Sequence, residues 1–194
     1  GVLNETLQSL ATTCAVSCTV KTWYDQIGSN CSGPCDATTA TIANRPAFIT
    51  NCTGGKACVR FTAASSQVLD VASAASAFAQ PISVSGVGFR NGNPGNFGSL
   101  WSMTVTNDLL GATNSASQWR FNNGNDILVT AADSSWHTAL GVANGASSNF
   151  YVDNGSNTGN AGTDGVGNNY KIGAVSTQFW NGDITEIVIW NKDF

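Results

Sequence analysis

Two stretches of this chain hold the side chains best suited to chemistry. The first runs from Trp23-Tyr24-Asp25-Gln26 through Asn30 to Asp36, a polar loop punctuated by glycine. Hard cations bind several carboxylate and carbonyl oxygens. Asp25, Asn30 and Asp36 are therefore candidate Ca2+ ligands, and with Gln26 they are equally candidates for a sugar's hydroxyls. The same side chains can instead hold the loop through backbone hydrogen bonds, as Asx residues do in turns. The second stretch is Trp119-Arg-Phe-Asn-Asn123 with Asn125-Asp126 behind it. A sugar ring has an apolar C–H face and a rim of hydroxyls, so its site needs an aromatic platform with amide, carboxylate or guanidinium partners. Trp119, Arg120, Asn122, Asn123 and Asp126 supply those types. Trp101, with Phe97, stands near a second polar loop at 91–96. A tryptophan on a sandwich strand can equally belong to the core.

His137 is the sole histidine. A Ser-His-Asp triad with Ser135 and Asp133 can be drawn only from close sequence neighbours, which converge poorly, and there is no nucleophile elbow. A structural place in a hairpin is the better expectation.

The elements that must position these groups are strands. Apolar or alternating segments occur at 20–24, 47–49, 57–61, 82–89, 99–105, 109–112, 118–121, 127–130, 136–144, 148–152, 170–172 and 183–190. Asn-Gly and Asn-Pro-Gly turn signals separate many of them. Helical spacing appears at 3–10, with Asn4 as a candidate cap, and an alanine-rich turn at 71–78. The pattern predicts one all-β jelly-roll domain over residues 1–194, a sandwich of two antiparallel sheets with short helical turns. In the closing strand, strict alternation puts Ile184, Glu186, Val188 and Trp190 on one face and Thr185, Ile187 and Ile189 on the other. Both faces are partly apolar, which suggests a central strand covered on both sides.

Composition narrows the function. Charged residues make up 10% and hydrophobic residues 42% of the 194. Ser, Thr, Asn and Gly must therefore cover the surface. A net charge of −4 with eight scattered basic residues excludes a phosphate-binding patch, so no nucleic-acid partner is expected. No apolar run is long enough to span a membrane. The six cysteines fall in close pairs, Cys14 and Cys18, Cys31 and Cys35, Cys52 and Cys58. Six cysteines allow fifteen connectivities, of which three local loops are the simplest, and the spacings fit zinc knuckles poorly. Disulfides imply an oxidising compartment. Sequons at Asn4, Asn30, Asn51 and Asn154 also point to secretion. Gly1 opens without a signal-peptide pattern, which suggests a mature or trimmed chain.

Several stretches resemble the concanavalin A-like (laminin G-like) jelly-roll superfamily. Trp136-His137 followed by Phe150-Tyr-Val-Asp-Asn-Gly155 looks like its Trp-His … Tyr-Val-Asp-Gly hairpin. Phe179-Trp-Asn-Gly-Asp-Ile-Thr-Glu-Ile-Val-Ile-Trp-Asn191 looks like its closing strand, with Lys171-Ile-Gly173 before it. Residues 14–37 look more narrowly like the catalytic domain of fungal family-54 α-L-arabinofuranosidases, and like surface-protein domains with the same Trp-Tyr-Asp-Gln motif. The enzyme resemblance implies a glutamate nucleophile and an aspartate acid, and retaining glycosidases set two carboxyl groups about 5–5.5 Å apart. The chain has only Glu5 and Glu186 as glutamates. Residues 172–175, where the acid is expected, read Ile-Gly-Ala-Val. Asp108 and Asp126 remain available, but no spacing marks a pair, so no catalytic residue is assigned. The resulting expectation is a secreted lectin-like protein that binds glycans or polysaccharide without cutting them, requires no cofactor, and has Ca2+ as a candidate ligand. An arabinofuranosidase-like hydrolase is the alternative. A structural extracellular module, self-associating through sheet edges, is the third reading.

Overall fold

The computed structural model describes residues 18–26, 35–71, 79–92, 97–103, 109–113, 117–131, 133–164 and 169–192, with Leu109 described by its backbone. The helical segment expected at 3–10, residues 72–78 of the alanine-rich turn, and Asn4, Glu5, Cys14, Asn30, Cys31 and Asp108 lie outside the described residues.

The chain is an all-β, concanavalin A-like jelly-roll sandwich of antiparallel sheets with short 3-10 turns. Among the described residues, one sheet has eight strands in the order β1 (Thr22–Trp23), β2 (Ala37–Thr38), β5 (Leu69–Val71), β14 (Tyr170–Ile172), β7 (Gly98–Met103), β8 (Leu109–Ala112), β9 (Gln118–Asn122) and β10 (Asp126–Thr130). The other has seven: β13 (Gly155–Gly159), β12 (Ser148–Val152), β11 (Trp136–Ala143), β6 (Ile82–Arg90), β17 (Gly182–Trp190), β4 (Lys56–Phe61) and β3 (Ala47–Thr53). The small hairpin β15 (Ala174–Val175) and β16 (Gln178–Phe179) packs on β7. There the Ser102 hydroxyl donates to Ala174 O at 2.6 Å, and every residue of β7 is buried.

Period-two alternation explains most of the layering. In β6, Ile82, Val84, Gly86, Gly88 and Arg90 face the core, while Ser85, Val87 and Phe89 face outward and are half-buried. The core between the sheets includes Trp101, Trp119, Trp180, Phe61, Phe121, Phe150 and Leu100. Burying one such side chain contributes roughly 1.5–3 kcal/mol. Phe121 and Phe150 meet across the sheets at 6.0 Å between centroids. Gly141 lies beneath them, and a Cβ there would collide with the Phe121 ring.

The closing strand departs from simple alternation. Ile184 pairs with Gly88, but Glu186 pairs with Val87, so Thr185 is an extra residue in a bulge. Ile184 therefore faces the core with Ile187, while Glu186, Val188 and Trp190 face outward. The face shared by Ile184 and Glu186 on paper is split by that one residue. The strand is central, between β6 and β4, as its apolar pattern suggests.

Candidate functional site

The β9–β10 hairpin turns Arg120 and Asn122 outward, opposite Leu128 and Asp126 on the neighbouring strand. Asn122 Nδ2 donates to Asp126 Oδ1 at 2.5 Å, and Asn122 Oδ1 accepts the Gly124 amide at 3.1 Å. Arg120 Nε lies 3.2 Å from the same Asp126 oxygen, in a charge contact without an aligned hydrogen bond. The guanidinium carbon sits 4.8 Å from the centre of the Phe97 ring, within cation–π range. Burial lowers the Arg120 pKa, and the Asp126 charge opposes that shift. One patch thus holds an aromatic ring, a guanidinium, an amide and a carboxylate.

Three residues expected beside this patch are elsewhere. Trp119 is 0% exposed, its ring edge-on to His137 at 5.2 Å and to Trp180 at 5.8 Å. Trp101 is 1% exposed and packs against Tyr170 at 6.2 Å. Neither tryptophan offers a face to a sugar. The alternation that turns Arg120 and Asn122 outward necessarily turns Trp119 inward, so the mismatch was present in the sequence. Asn123 is also 1% exposed. Its Oδ1 accepts from Gln80 Nε2 and its amide donates to Ala161 O at 2.9 Å, so it ties the turn together.

The Trp-Tyr-Asp-Gln segment shows local backbone holding. Asp36 Oδ1 accepts the Asp25 amide at 3.0 Å, and Gln26 Nε2 donates to Tyr24 O at 3.1 Å. Tyr170 lies close enough that the Asp25 charge helps burial push its phenol up to about 12. Trp23 is buried, whereas Tyr24 is 64% exposed, an outward aromatic that the motif-level reading did not single out. Among the described residues, Cys52, Cys58 and Asp183 lie within reach of one another as potential metal ligands. Both sulfurs belong to the Cys52–Cys58 disulfide and are not thiolate donors. Cys18 and Cys35 are also disulfide-bonded. Asn51 and Asn154, the sequon asparagines within the described residues, are both exposed.

His137 is buried on the inward side of β11, with Nδ1 2.6 Å from Asp153 Oδ2. Asp153 also accepts the Thr138 amide at 2.9 Å and begins the tight turn between β12 and β13 at φ 53°. This is a hairpin-bracing role. Four further aspartates each meet a cation: Asp183 with Arg60, Asp133 with Arg90, Asp126 with Arg120 and Asp70 with Lys171.

No protein-family model matches the chain, and no curated protein does either. Solved structures do. A Trypanosoma rangeli sialidase, solved with the inhibitor DANA, superposes with a TM-score of 0.61 at 13% identity, over 92% of this chain and 30% of the sialidase. Domains LG4-5 of the mouse laminin alpha1 chain give a TM-score of 0.51 at 14% identity, over 81% of this chain and 44% of theirs. At these identities the likeness is one of fold. This chain spans less than half the length of either.

Sequence reasoning missed a second surface, the outer face of the seven-stranded sheet. Phe89 on β6 and Trp136 on β11 are opposite one another, their rings 5.7 Å apart. Further along, Tyr151 on β12 is opposite Leu140 and is 41% exposed. Ser85 and Thr138 point the same way. The signal was again alternation: an outward Phe89 requires an outward Trp136 once their strands pair.

Proposed function

We propose that the protein is a secreted carbohydrate-binding domain that holds glycans without hydrolysing them. The observation that carries this reading is the convergence of Arg120, Asn122, Asp126 and Phe97 on one outer patch. These are the side-chain types that recognise hydroxyls and cover a sugar ring. Disulfides at Cys18, Cys35 and Cys52–Cys58 support an oxidising, extracellular setting. The exposed Asn51 and Asn154 are accessible to glycosylation there. No helix among the described residues is long and apolar enough to cross a membrane.

The assignment against hydrolysis rests on the acids. A retaining mechanism requires one carboxylate free to attack and a second to protonate the leaving oxygen, about 5–5.5 Å away. Among the described residues, Asp183, Asp133, Asp126, Asp153 and Asp70 are each engaged by a cationic or imidazole partner, and Asp36 accepts the Asp25 amide instead of standing free to attack. A glycan array run with and without EDTA tests the proposal. Binding is expected, and the EDTA arm reports whether Asp25 and Asp36 hold Ca2+. Arg120→Ala and Asp126→Ala should weaken binding while the fold persists. Release of nitrophenol from an arabinofuranoside would replace this reading with a family-54-like hydrolase. An empty array with filaments visible in the microscope would replace it with a structural module.

A further inference from the structure

We infer that the outer face of the seven-stranded sheet is a second carbohydrate surface, and that its ligand is an extended neutral polysaccharide. The inference rests on the proposed carbohydrate-binding reading, but it concerns different residues and a different sheet from the Arg120 patch.

Three observations carry it. The first is what the face displays. Phe89 and Trp136 form a tilted, half-buried pair, and Tyr151 stands 41% exposed four residues further along β11's register. At about 3.4 Å per residue, the pair and the tyrosine are roughly 14 Å apart along the strands. That separation suits a chain of sugar rings better than one ring. The second observation is what lies between. Val87 and Thr138 pair directly, and so do Ser85 and Leu140. Hydroxyls therefore alternate with apolar side chains across the track, matching the alternation of hydroxyl rims and C–H faces on a polysaccharide.

The third is charge. The outward positions of β12, β11, β6 and β17 include two acids, Asp183 and Glu186, and no Lys or Arg. Asp183 is held by Arg60 from β4 through two hydrogen bonds, at 2.7 and 2.8 Å. Over these four strands an anionic glycan meets Glu186 and, among their described residues, no outward Lys or Arg; the cations of β4, Arg60 and Lys56, stand to one side. A neutral one needs no countercharge from these strands. The track also has borders. The Arg60–Asp183 pair and the Cys52–Cys58 disulfide close one side. On the other, Ser83 Oγ donates to Lys192 O, so the chain after β17 covers that end.

Affinity electrophoresis of the full chain tests this. Gels carry soluble xylan, arabinan or mixed-linkage β-glucan, with polygalacturonate as the anionic control. Wild type is expected to be retarded in at least one neutral gel, with little salt dependence. Tyr151→Ala and the double variant Trp136→Ala/Tyr151→Ala should weaken that retardation by roughly tenfold or more, as loss of a central aromatic contact does. Near-ultraviolet circular dichroism confirms that each variant is folded, and Tyr151→Ala decides the matter if the double variant is not. Retardation of folded face variants equal to wild type overturns this inference and leaves the Arg120 patch standing. Retardation only in polygalacturonate overturns it too. A wild-type dimer in sedimentation that Tyr151→Ala dissociates overturns it in favour of a second copy of the chain on this face. No retardation of wild type in any gel, together with an empty glycan array, overturns the proposed function itself.

Discussion

Replacing Trp119 separates a core role from a binding role. The side chain is fully buried, with ring neighbours His137 and Trp180. Truncating an aromatic of that size to alanine costs about 3–5 kcal/mol, because transfer and cavity effects add. For a chain of this length each kcal/mol lowers Tm by about 2–4 °C, so Trp119→Ala should lose roughly 6–20 °C. Trp119→Phe should behave differently. The indole nitrogen is buried and has no hydrogen-bond partner. An unsatisfied buried donor costs about 1–3 kcal/mol, so removing it offsets much of the lost packing. The phenylalanine variant should lie within about 1 kcal/mol of wild type. Thermal and urea denaturation followed by circular dichroism give both numbers. Glycan affinity of the folded fraction should not change in either variant. A stable Trp119→Ala protein that has lost its ligand would refute the placement of this ring in the core.

Two further outcomes follow from buried ionisable groups. Arg90 is 1% exposed and its guanidinium contacts Asp133 at 3.2 Å, with burial the main cause of its lowered pKa. Asp133→Ala should destabilise by about 3 kcal/mol or more, and adding Arg90→Met should recover a large part of the loss; a double variant weaker than the single contradicts this in a denaturation series. Tyr170 has its phenol pushed up to about 12, first by burial and then by Asp25. The unfolded chain loses this proton near pH 10 and the folded chain keeps it. Stability should therefore fall between about pH 10 and 12, by about 2–3 kcal/mol in total. Tyr170→Phe should flatten that alkaline slope in pH-dependent urea midpoints, and an unchanged slope would assign it to other groups.

The fold was readable because its strands are periodic. Residues 109–112, 148–152 and 170–172 form strands at the bounds their patterns suggest, and most others differ by a residue or two. Strands β2, β5, β15 and β16, two or three residues each, were not singled out. β13 also escaped: Gly-Ser-Asn-Thr-Gly has no apolar alternation, and it is held by pairing with β12 and by Asn157 donating to Leu128 O of β10. The site was half-legible. Arg120, Asn122 and Asp126 come together because strand pairing sets Asn122 opposite Asp126. Trp119 and Trp101 were misplaced because residue type was weighed above the face that each position must occupy. The outer aromatic track needed register between β6 and β11, which no local pattern contains.

The small hairpin lying on β7 has a consequence for how anything long can rest on the eight-stranded sheet. It raises a ridge across the middle of that surface. The Asp70–Lys171 pair lies on one side of it and the Arg120–Asp126 pair on the other. A rigid rod laid crosswise would rock on the step between them.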